Sequence, residues 1–250
     1  MNEKLPIALV IFSATPKKNG RNDYYQLAIN NLASLIDLDK FPFKLLSVKY
    51  PTGDEEEAQK YKAWAEDKGF EVILNEGNWI NGEISKTKEY LTDYIKVYHN
   101  DKLNQIPFVF EAEDDTTLEV KEGILEDYLV KSVELLIEDK NLLTCRFADR
   151  EDEHDRINRL NAKYGWTHKK SIRIEGCDYT RNNDHLSFRN YIVRTRDMFM
   201  ASRILLHNFE KLHPSAETSV TNALLALTDG EVPFLCWEPT KIKHFHMKVD

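Results

Sequence analysis

The chain has 250 residues, of which 42% are hydrophobic and 30% charged, a composition that gives a globular protein a sizeable core. Its formal net charge of −8 disfavours nucleic acid as a partner, because phosphate backbones bind basic surfaces. Cys145, Cys177 and Cys236 match neither a zinc site nor a disulfide framework, so we expect a reducing, cytoplasmic compartment. No apolar stretch has the length of a membrane span.

The first half of the chain alternates between strand-like and helix-like segments. Residues 7–12 form a continuous apolar run, which is typical of a strand buried on both faces, and residues 43–48, 70–74 and 106–110 predict three further strands. Apolar residues at helical spacing lie between these runs. This order predicts an α/β fold: a mostly parallel central sheet with flanking helices, a Rossmann-like sandwich.

The second half has a less regular pattern. A helix is predicted around residues 125–136, a strand at 142–147, and helices near 196–209 and 220–227. Residues 149–184 are polar and charged with weak periodicity, so we expect loops there that bind a substrate, rather than a second core. No repeat or linker divides the chain, which predicts a single domain over residues 1–250.

An acidic cluster follows the fourth predicted strand. Glu111, Glu113, Asp114 and Asp115 come at the carboxyl end of the strand, where open α/β sheets bind ligands. Carboxylates this close together repel one another unless a cation lies among them. Oxygen ligands of this kind suit Mg²⁺ or Mn²⁺, often shared with substrate phosphates. We therefore predict a metal–phosphate site here; a solvated acidic loop is the alternative.

The N-terminal strand with its polar loop, the alternating β/α units and the motif Glu113-Asp114-Asp115 together resemble a GT-A fold glycosyltransferase, a family 2-like nucleotide-sugar transferase. The family motif Asp-x-Asp begins with aspartate, where this chain has Glu113. Glu111-Ala112-Glu113 has the same acid-x-acid spacing, so the alignment of the motif stays open. The resemblance implies that Asp115 and Glu113 bind Mn²⁺ or Mg²⁺, with Asp115 ranked first, and that Asp114 contacts the nucleotide.

The resemblance also implies a third metal ligand from a late segment of the chain. His244 and His246 are two residues apart, so they lie on one face if the segment is extended. Neutral imidazole is an acceptable ligand for Mn²⁺, and we rank His246 ahead of His244. Flanking lysines would neutralise a diphosphate. The alternative is a solvated tail of mixed charge.

Inverting members of such a family place an acid at the start of a late helix, where it accepts the proton of the acceptor hydroxyl. Glu217 follows Ser215 and precedes the helical pattern near Val220, so we predict it as the general base. An ordinary helix start has the same residues, since Ser215 is a good N-cap and an acid in the first turn complements the helix dipole. Asp178 is a weaker catalytic candidate.

Nucleotide contacts are expected from small, acidic or cationic side chains near the ends of the first strands and from a lysine at the start of the helix before the acidic strand. Small side chains let a nucleotide lie against the backbone, and a cation pairs with phosphate. The candidates, beside Asp114, are Ser13, Ala14, Thr15, Arg21, Asp54 and Lys88. For each, ordinary loop or helix-surface chemistry is the alternative.

The resemblance thus implies metal-dependent transfer of a sugar from a nucleotide-sugar, by default a UDP-sugar, to the hydroxyl of a glycan or another acceptor. Residues 1–118 would form the nucleotide-binding half and residues 119–250 the acceptor-side half. A second hypothesis is a sugar nucleotidyltransferase. Enzymes of that class usually have a glycine- and lysine-rich loop after the first strand, which residues 13–20 match poorly. A third is a non-catalytic nucleotide- or carbohydrate-binding protein of the same fold.

Overall fold

The structure is a computed structural model, and it describes residues 3–14, 24–77, 83–114, 116–120, 123–147, 172–173, 179–183, 190–227, 233–237 and 241–244. These residues contain eleven strands: β1 (Ile7–Ala14), β2 (Lys44–Tyr50), β3 (Glu71–Glu76), β4 (Phe108–Glu113), β5 (Thr116–Glu119), β6 (Thr144–Arg146), β7 (Ile172–Arg173), β8 (Tyr179–Asn183), β9 (Tyr191–Arg194), β10 (Pro233–Trp237) and β11 (Lys241–His244). The four strands predicted in the first half are confirmed. Each extends past its apolar run, because backbone pairing continues through polar residues.

The described residues also contain six α-helices: α1 (Tyr24–Leu35), α2 (Glu55–Asp67), α3 (Glu83–Tyr98), α4 (Ile124–Glu138), α5 (Thr195–His207) and α6 (Ala216–Leu225). They confirm the helices predicted from apolar spacing. In this part of the chain, no helix is both long and apolar enough to cross a membrane.

Nine of the strands form one sheet in the order β3-β2-β1-β4-β9-β6-β10-β8-β7, and β11 pairs with β5 in a separate ribbon. The segment β3-β2-β1-β4 is parallel throughout, as predicted. Beyond it the sheet is mixed, since β9 runs antiparallel to β4 and β6, and β8 antiparallel to β10 and β7. Most strands still point one way, so the fold is an α/β, Rossmann-like sandwich.

The expectation that residues 149–184 contain only loops is wrong for β7 and β8. The backbone of β8 pairs with β10, with Tyr179 opposite Trp237 and Asn183 opposite Pro233, and β7 pairs with β8 at the end of the sheet. These strands are short and polar, so no apolar alternation in the sequence indicates them. Backbone pairing with distant strands defines them instead.

The core lies on both faces of the sheet. Along β1, Leu9 and Ile11 pack on one face, while Ala8 and Val10 pack on the other, and all four are fully buried. Helices α1, α2 and α4 contribute to the first of these clusters, and helices α3, α5 and α6 to the second. This arrangement explains the continuous apolar run of β1, which has no solvent-facing side.

We predict that Leu9→Ala lowers the free energy of unfolding by about 2–5 kcal/mol, because it leaves a cavity beneath α1 and α4. Urea denaturation measures the change. Leu27→Ala, on the partly exposed side of α1 (40% exposed), is the matched control and should change stability by less than about 0.5 kcal/mol. Equal effects of the two substitutions would contradict the assignment of Leu9 to the core.

Candidate active site

The parallel part of the sheet changes its direction of growth at β1. From β1 the chain adds β2 and β3 on one side, and it then returns to add β4 on the other side. Ligands of open α/β sheets bind outside the carboxyl ends of the strands at such a switch point. Phe12 of β1 pairs with Glu113 of β4, so the two strands end at the same level. The acidic motif therefore borders the crevice where this fold favours a ligand.

Asp114 joins the acidic turn to the end of β1. Its Oδ2 accepts hydrogen bonds from the Ser13 hydroxyl at 2.7 Å and from the Ala14 amide at 3.3 Å. Its own amide donates to the carbonyl oxygen of Phe12 at 3.1 Å. The structure thus brings together three of the residues predicted to contact a nucleotide. It also shows that two donors of β1 are engaged by the buried Asp114, which fixes the shape of this edge.

Glu113 is the last residue of β4 and is partly buried at the same edge. The hydroxyl of Thr116 donates to the Glu113 carbonyl at 3.0 Å and lies 3.2 Å from Asn190 Oδ1, which closes the turn between β4 and β5. Asp115, the metal ligand ranked first from the sequence, lies outside the described residues. Its role stays a prediction.

The late segment of the chain returns to the acidic turn. Strand β11 pairs antiparallel with β5, and the backbone of His244 lies opposite Thr116. This pairing connects the two parts of the sequence from which metal ligands were predicted. The side chain of His244, and all of His246, lie outside the described part of the chain.

Glu217 lies in the first turn of α6, whose N-cap is Ser215: the Ser215 hydroxyl accepts a hydrogen bond from the Thr218 amide at 3.4 Å. The hydroxyl of Thr87 on α3 donates to the carbonyl oxygen of Pro214, which holds the start of α6 against α3. Glu217 is therefore at an ordinary helix start that faces α3. Both the capping and the catalytic interpretations agree with this position.

A buried carboxyl group lies beneath the crevice. Glu111 is fully buried, and its Oε2 accepts a hydrogen bond from the Tyr98 hydroxyl. The hydroxyls of Tyr94 and Tyr191 lie 3.2 Å apart and also face Glu111. Burial raises the pKa of Glu111 to about 7, although hydrogen bonds from Tyr191, Tyr98 and Tyr94 lower it. Glu111 therefore belongs to the core, which favours Glu113 over Glu111 as the first acid of the motif.

Tyr90 continues this cluster toward the crevice. Burial raises its pKa well above the usual value, and so do the nearby carboxylates of Glu111, Glu113 and Glu217. Phe12 packs against its ring at a centroid distance of 5.9 Å. Tyr90 thus lies among the buried acid and the two acids predicted at the site. No sequence motif indicates Tyr90, although Tyr90, Tyr94 and Tyr98 share one face of α3 through their four-residue spacing.

The other predicted residues have mixed outcomes. Asp54 is buried in the turn after β2, on the same edge of the sheet. Lys88 forms an ion pair with Glu210 at 2.7 Å and lies over the ring of Phe209, so its charge is engaged between α3 and the segment after α5. Thr15, Arg21 and Asp178 lie outside the described residues.

The donor groups at this edge decide whether the site can hold a divalent cation. Within the described ranges, no three His, Cys, Asp or Glu side chains are close enough together to hold a metal ion. Glu113 supplies a carboxylate at the crevice, of the kind that Mg²⁺ and Mn²⁺ prefer. A complete cation site would need ligands in addition to Glu113, and Asp115 and a histidine of the late segment are those predicted from the sequence. The residue types fit such an ion.

Comparisons with known proteins gave similar solved structures only: no family model and no curated protein sequence matches the chain. The mouse xyloside xylosyltransferase 1, in its apo form, superimposes with a TM-score of 0.45 and 10% identity, over 91% of this chain and 83% of that one. Residues 1–349 of TarS from S. aureus give 0.45 and 10%, over 94% and 60%. A 4-diphosphocytidyl-2C-methyl-D-erythritol synthase from Anaerococcus prevotii gives 0.42 and 10%, over 93% and 89%. Because the identity is 10% in each case and the TM-scores are low, these similarities give no evidence about function. The proposed function rests on the residues of this chain instead.

We predict that Glu111 makes the native state less stable as the pH rises between its ordinary pKa and about 7. In that interval the folded protein retains a proton that the unfolded chain has lost, so the free energy of unfolding falls, by at most about 3 kcal/mol. Glu111→Gln keeps the shape but cannot ionise. It should exceed the wild type in stability at about pH 8 and lose that advantage at about pH 5, as measured by urea denaturation.

The matched control is Glu138→Gln, at the exposed end of α4. This substitution should leave the pH dependence of unfolding unchanged. If Glu111→Gln and the wild type showed the same dependence between these pH values, the assignment of Glu111 as a buried carboxyl that holds its proton near neutral pH would be wrong.

Proposed function

We propose that this protein is a metal-dependent glycosyltransferase that moves a sugar from a nucleotide-sugar to a hydroxyl acceptor. The observation that carries the proposal is the position of the acidic motif, at the carboxyl end of β4 beside β1, with the late strand β11 paired along the same turn. A nucleotide-sugar has a diphosphate that needs a cation, and a hydroxyl acceptor needs a base. This edge of the sheet offers acids for both purposes.

In this proposal, Glu113 and Asp115 would hold Mn²⁺ or Mg²⁺ together with His246 or His244. The ion, when bound, neutralises charge that develops on the leaving diphosphate. Asp114 has a different role. Because its carboxylate already accepts hydrogen bonds from Ser13 and Ala14, it holds the end of β1 in place against the acidic turn.

The nucleotide would lie over the end of β1. Ser13, Ala14 and Thr15 have small side chains that allow close approach to the backbone, and Arg21 would pair with phosphate. Asp54, at the carboxyl end of the neighbouring β2, would accept hydrogen bonds from a ribose or a uracil edge. UDP is the default nucleotide of the donor, as the resemblance to nucleotide-sugar transferases implies.

Glu217 is the base that would take the proton of the acceptor hydroxyl, with Asp178 as the weaker candidate. Its support is that the charges of both Glu217 and Glu113 add to burial in raising the pKa of Tyr90. This role assumes a reaction that inverts the configuration at the sugar carbon.

We predict that UDP with Mn²⁺ raises the melting temperature, that EDTA abolishes the shift, and that Asp115→Ala and Glu113→Gln greatly reduce it. The reason is that a ligand bound only by the native state stabilises it by mass action. Thermal-shift scans with UDP, GDP and CMP, each with Mn²⁺ and with EDTA, measure the change in melting temperature. They also identify which nucleobase the protein prefers. Glu138→Gln is the control and should retain the full shift.

No shift with any nucleotide would contradict the proposed function and favour the hypothesis of a non-catalytic binding protein.

The reaction products distinguish a glycosyltransferase from a nucleotidyltransferase. A glycosyltransferase releases UDP from a UDP-sugar, whereas a nucleotidyltransferase releases pyrophosphate from UTP and a sugar phosphate. Pyrophosphate release with no UDP release would support the second class.

We predict that Glu217→Gln lowers kcat for sugar transfer by about 10²- to 10⁴-fold, because it removes the general base, while the UDP-dependent thermal shift stays unchanged. Steady-state release of UDP from the donor measures kcat. Glu134→Gln, on the exposed face of α4, is the control and should leave kcat near the wild-type value. If Glu217→Gln kept wild-type kcat, the base would be a different residue.

A further inference from the structure

A groove of about 830 Å³ opens at the end of the sheet opposite the acidic motif. Its floor contains Phe108, the first residue of β4, whereas Glu113 at the crevice is the last residue of the same strand. The walls come from the end of α3 and the turn that follows it, the end of α4 and the start of α5. The groove is therefore separate from the candidate active site, and its volume is in the range of small-molecule sites.

Much of the wall is apolar. Ile106, Phe108, Leu136, Ile137 and Phe199 line the groove. Ile137 is 62% exposed, more than any other large hydrophobic side chain in the described part of the chain. An apolar surface of this kind, open at the rim and continuous with the floor, suits the hydrocarbon or aromatic body of a ligand.

The rim is cationic, although the protein as a whole has a net charge of −8. Lys140 and Arg196 line the groove, and neither forms an ion pair with any described residue. Arg194 is engaged differently: it donates to the carbonyl oxygens of Leu142 at 2.8 Å and Asp139 at 2.9 Å, and it pairs with Asp197 at 3.1 Å. Two positive side chains are thus left for a ligand.

The start of α5 adds hydrogen-bond donors. Arg194, the N-cap residue, makes no side-chain cap to the helix. Thr195 follows it, is 2% exposed and lines the groove, and its hydroxyl has no hydrogen-bond partner among the described residues. A buried hydroxyl without a partner is costly, and the first amides of a helix attract anions. Both features favour an acceptor group placed at this end of the groove.

We propose that the groove binds an amphipathic organic anion, with an apolar body along Ile137 and Phe199 and a phosphate, sulfonate or carboxylate near Lys140, Arg196 and the start of α5. Asp101 and His99, also in the wall, leave the local charge positive. The apolar wall alone would accept a neutral molecule, and the cations alone a simple anion. The two surfaces together select a ligand with both parts.

The test measures the binding of decyl phosphate to the full-length protein, at concentrations below its critical micelle concentration. Binding is followed by displacement of the fluorescent anion 1-anilinonaphthalene-8-sulfonate and by thermal shift. We expect decyl phosphate to bind at least about tenfold more tightly than decyltrimethylammonium, which has the same ten-carbon alkyl group and the opposite charge. Inorganic phosphate lacks the alkyl group, so it should bind no more tightly than decyltrimethylammonium.

Lys140→Glu with Arg196→Glu should abolish binding of decyl phosphate, and Ile137→Glu should weaken it. Thr195→Val should weaken it by roughly threefold to tenfold without lowering the melting temperature, because the lost hydroxyl has no hydrogen-bond partner among the described residues. Lys131→Glu, at an exposed position of α4 outside the groove, is the matched control and should bind normally.

No binding by the wild type, equal binding of the two decyl ions, or full binding by the double variant would overturn the proposal. All these positions except Thr195 are partly or fully exposed, so the variants should fold, and circular dichroism checks this. Asp115→Ala should leave decyl phosphate binding intact. The UDP-dependent thermal shift therefore tests the proposed glycosyltransferase function, and decyl phosphate binding tests the proposed groove site. Either proposal can fail without the other.

Discussion

The parallel pairing of β1 with β4 is the constraint on which the rest of this molecule depends. It runs in one register from Ile7 beside Phe108 to Phe12 beside Glu113. Because the chain must cross back over the sheet to make this pairing, α3 covers the opposite face from α1 and α2. The same pairing brings the acidic turn beside Ser13, where Asp114 then closes the contact. Any ligand crevice at this edge depends on that register.

The interior beneath the crevice is unusually polar for a doubly covered sheet. Glu111 lies in a strand between apolar neighbours, and burying a carboxylate there is costly unless it is protonated or hydrogen-bonded. Tyr98, Tyr94 and Tyr191 supply hydroxyls that offset the cost. Such a cluster contributes less to stability than an apolar core of equal volume, because part of its hydrogen bonding only offsets the cost of burying polar groups.

The two ends of β4 have opposite chemical character. At the carboxyl end the strand has acids suited to a cation, and at the amino end the groove has cations suited to an anion. The start of α5 contributes the positive end of its helix dipole to the groove, whereas Arg194 donates to the carbonyl oxygens of Leu136 and Asp139 and so offsets the negative end of α4. An acidic protein can in this way have a local positive surface that its net charge does not indicate.

Residues close in sequence determined the order of strands and helices in the first half, because doubly buried strands have unbroken apolar runs and amphipathic helices have apolar spacing. They also identified the acidic motif. Only the tertiary structure decided that Glu111 is buried while Glu113 reaches the crevice, that β11 returns to β5, and that the polar β8 joins the sheet. These outcomes depend on pairing between distant segments, and a pattern within one segment has no information about its partner.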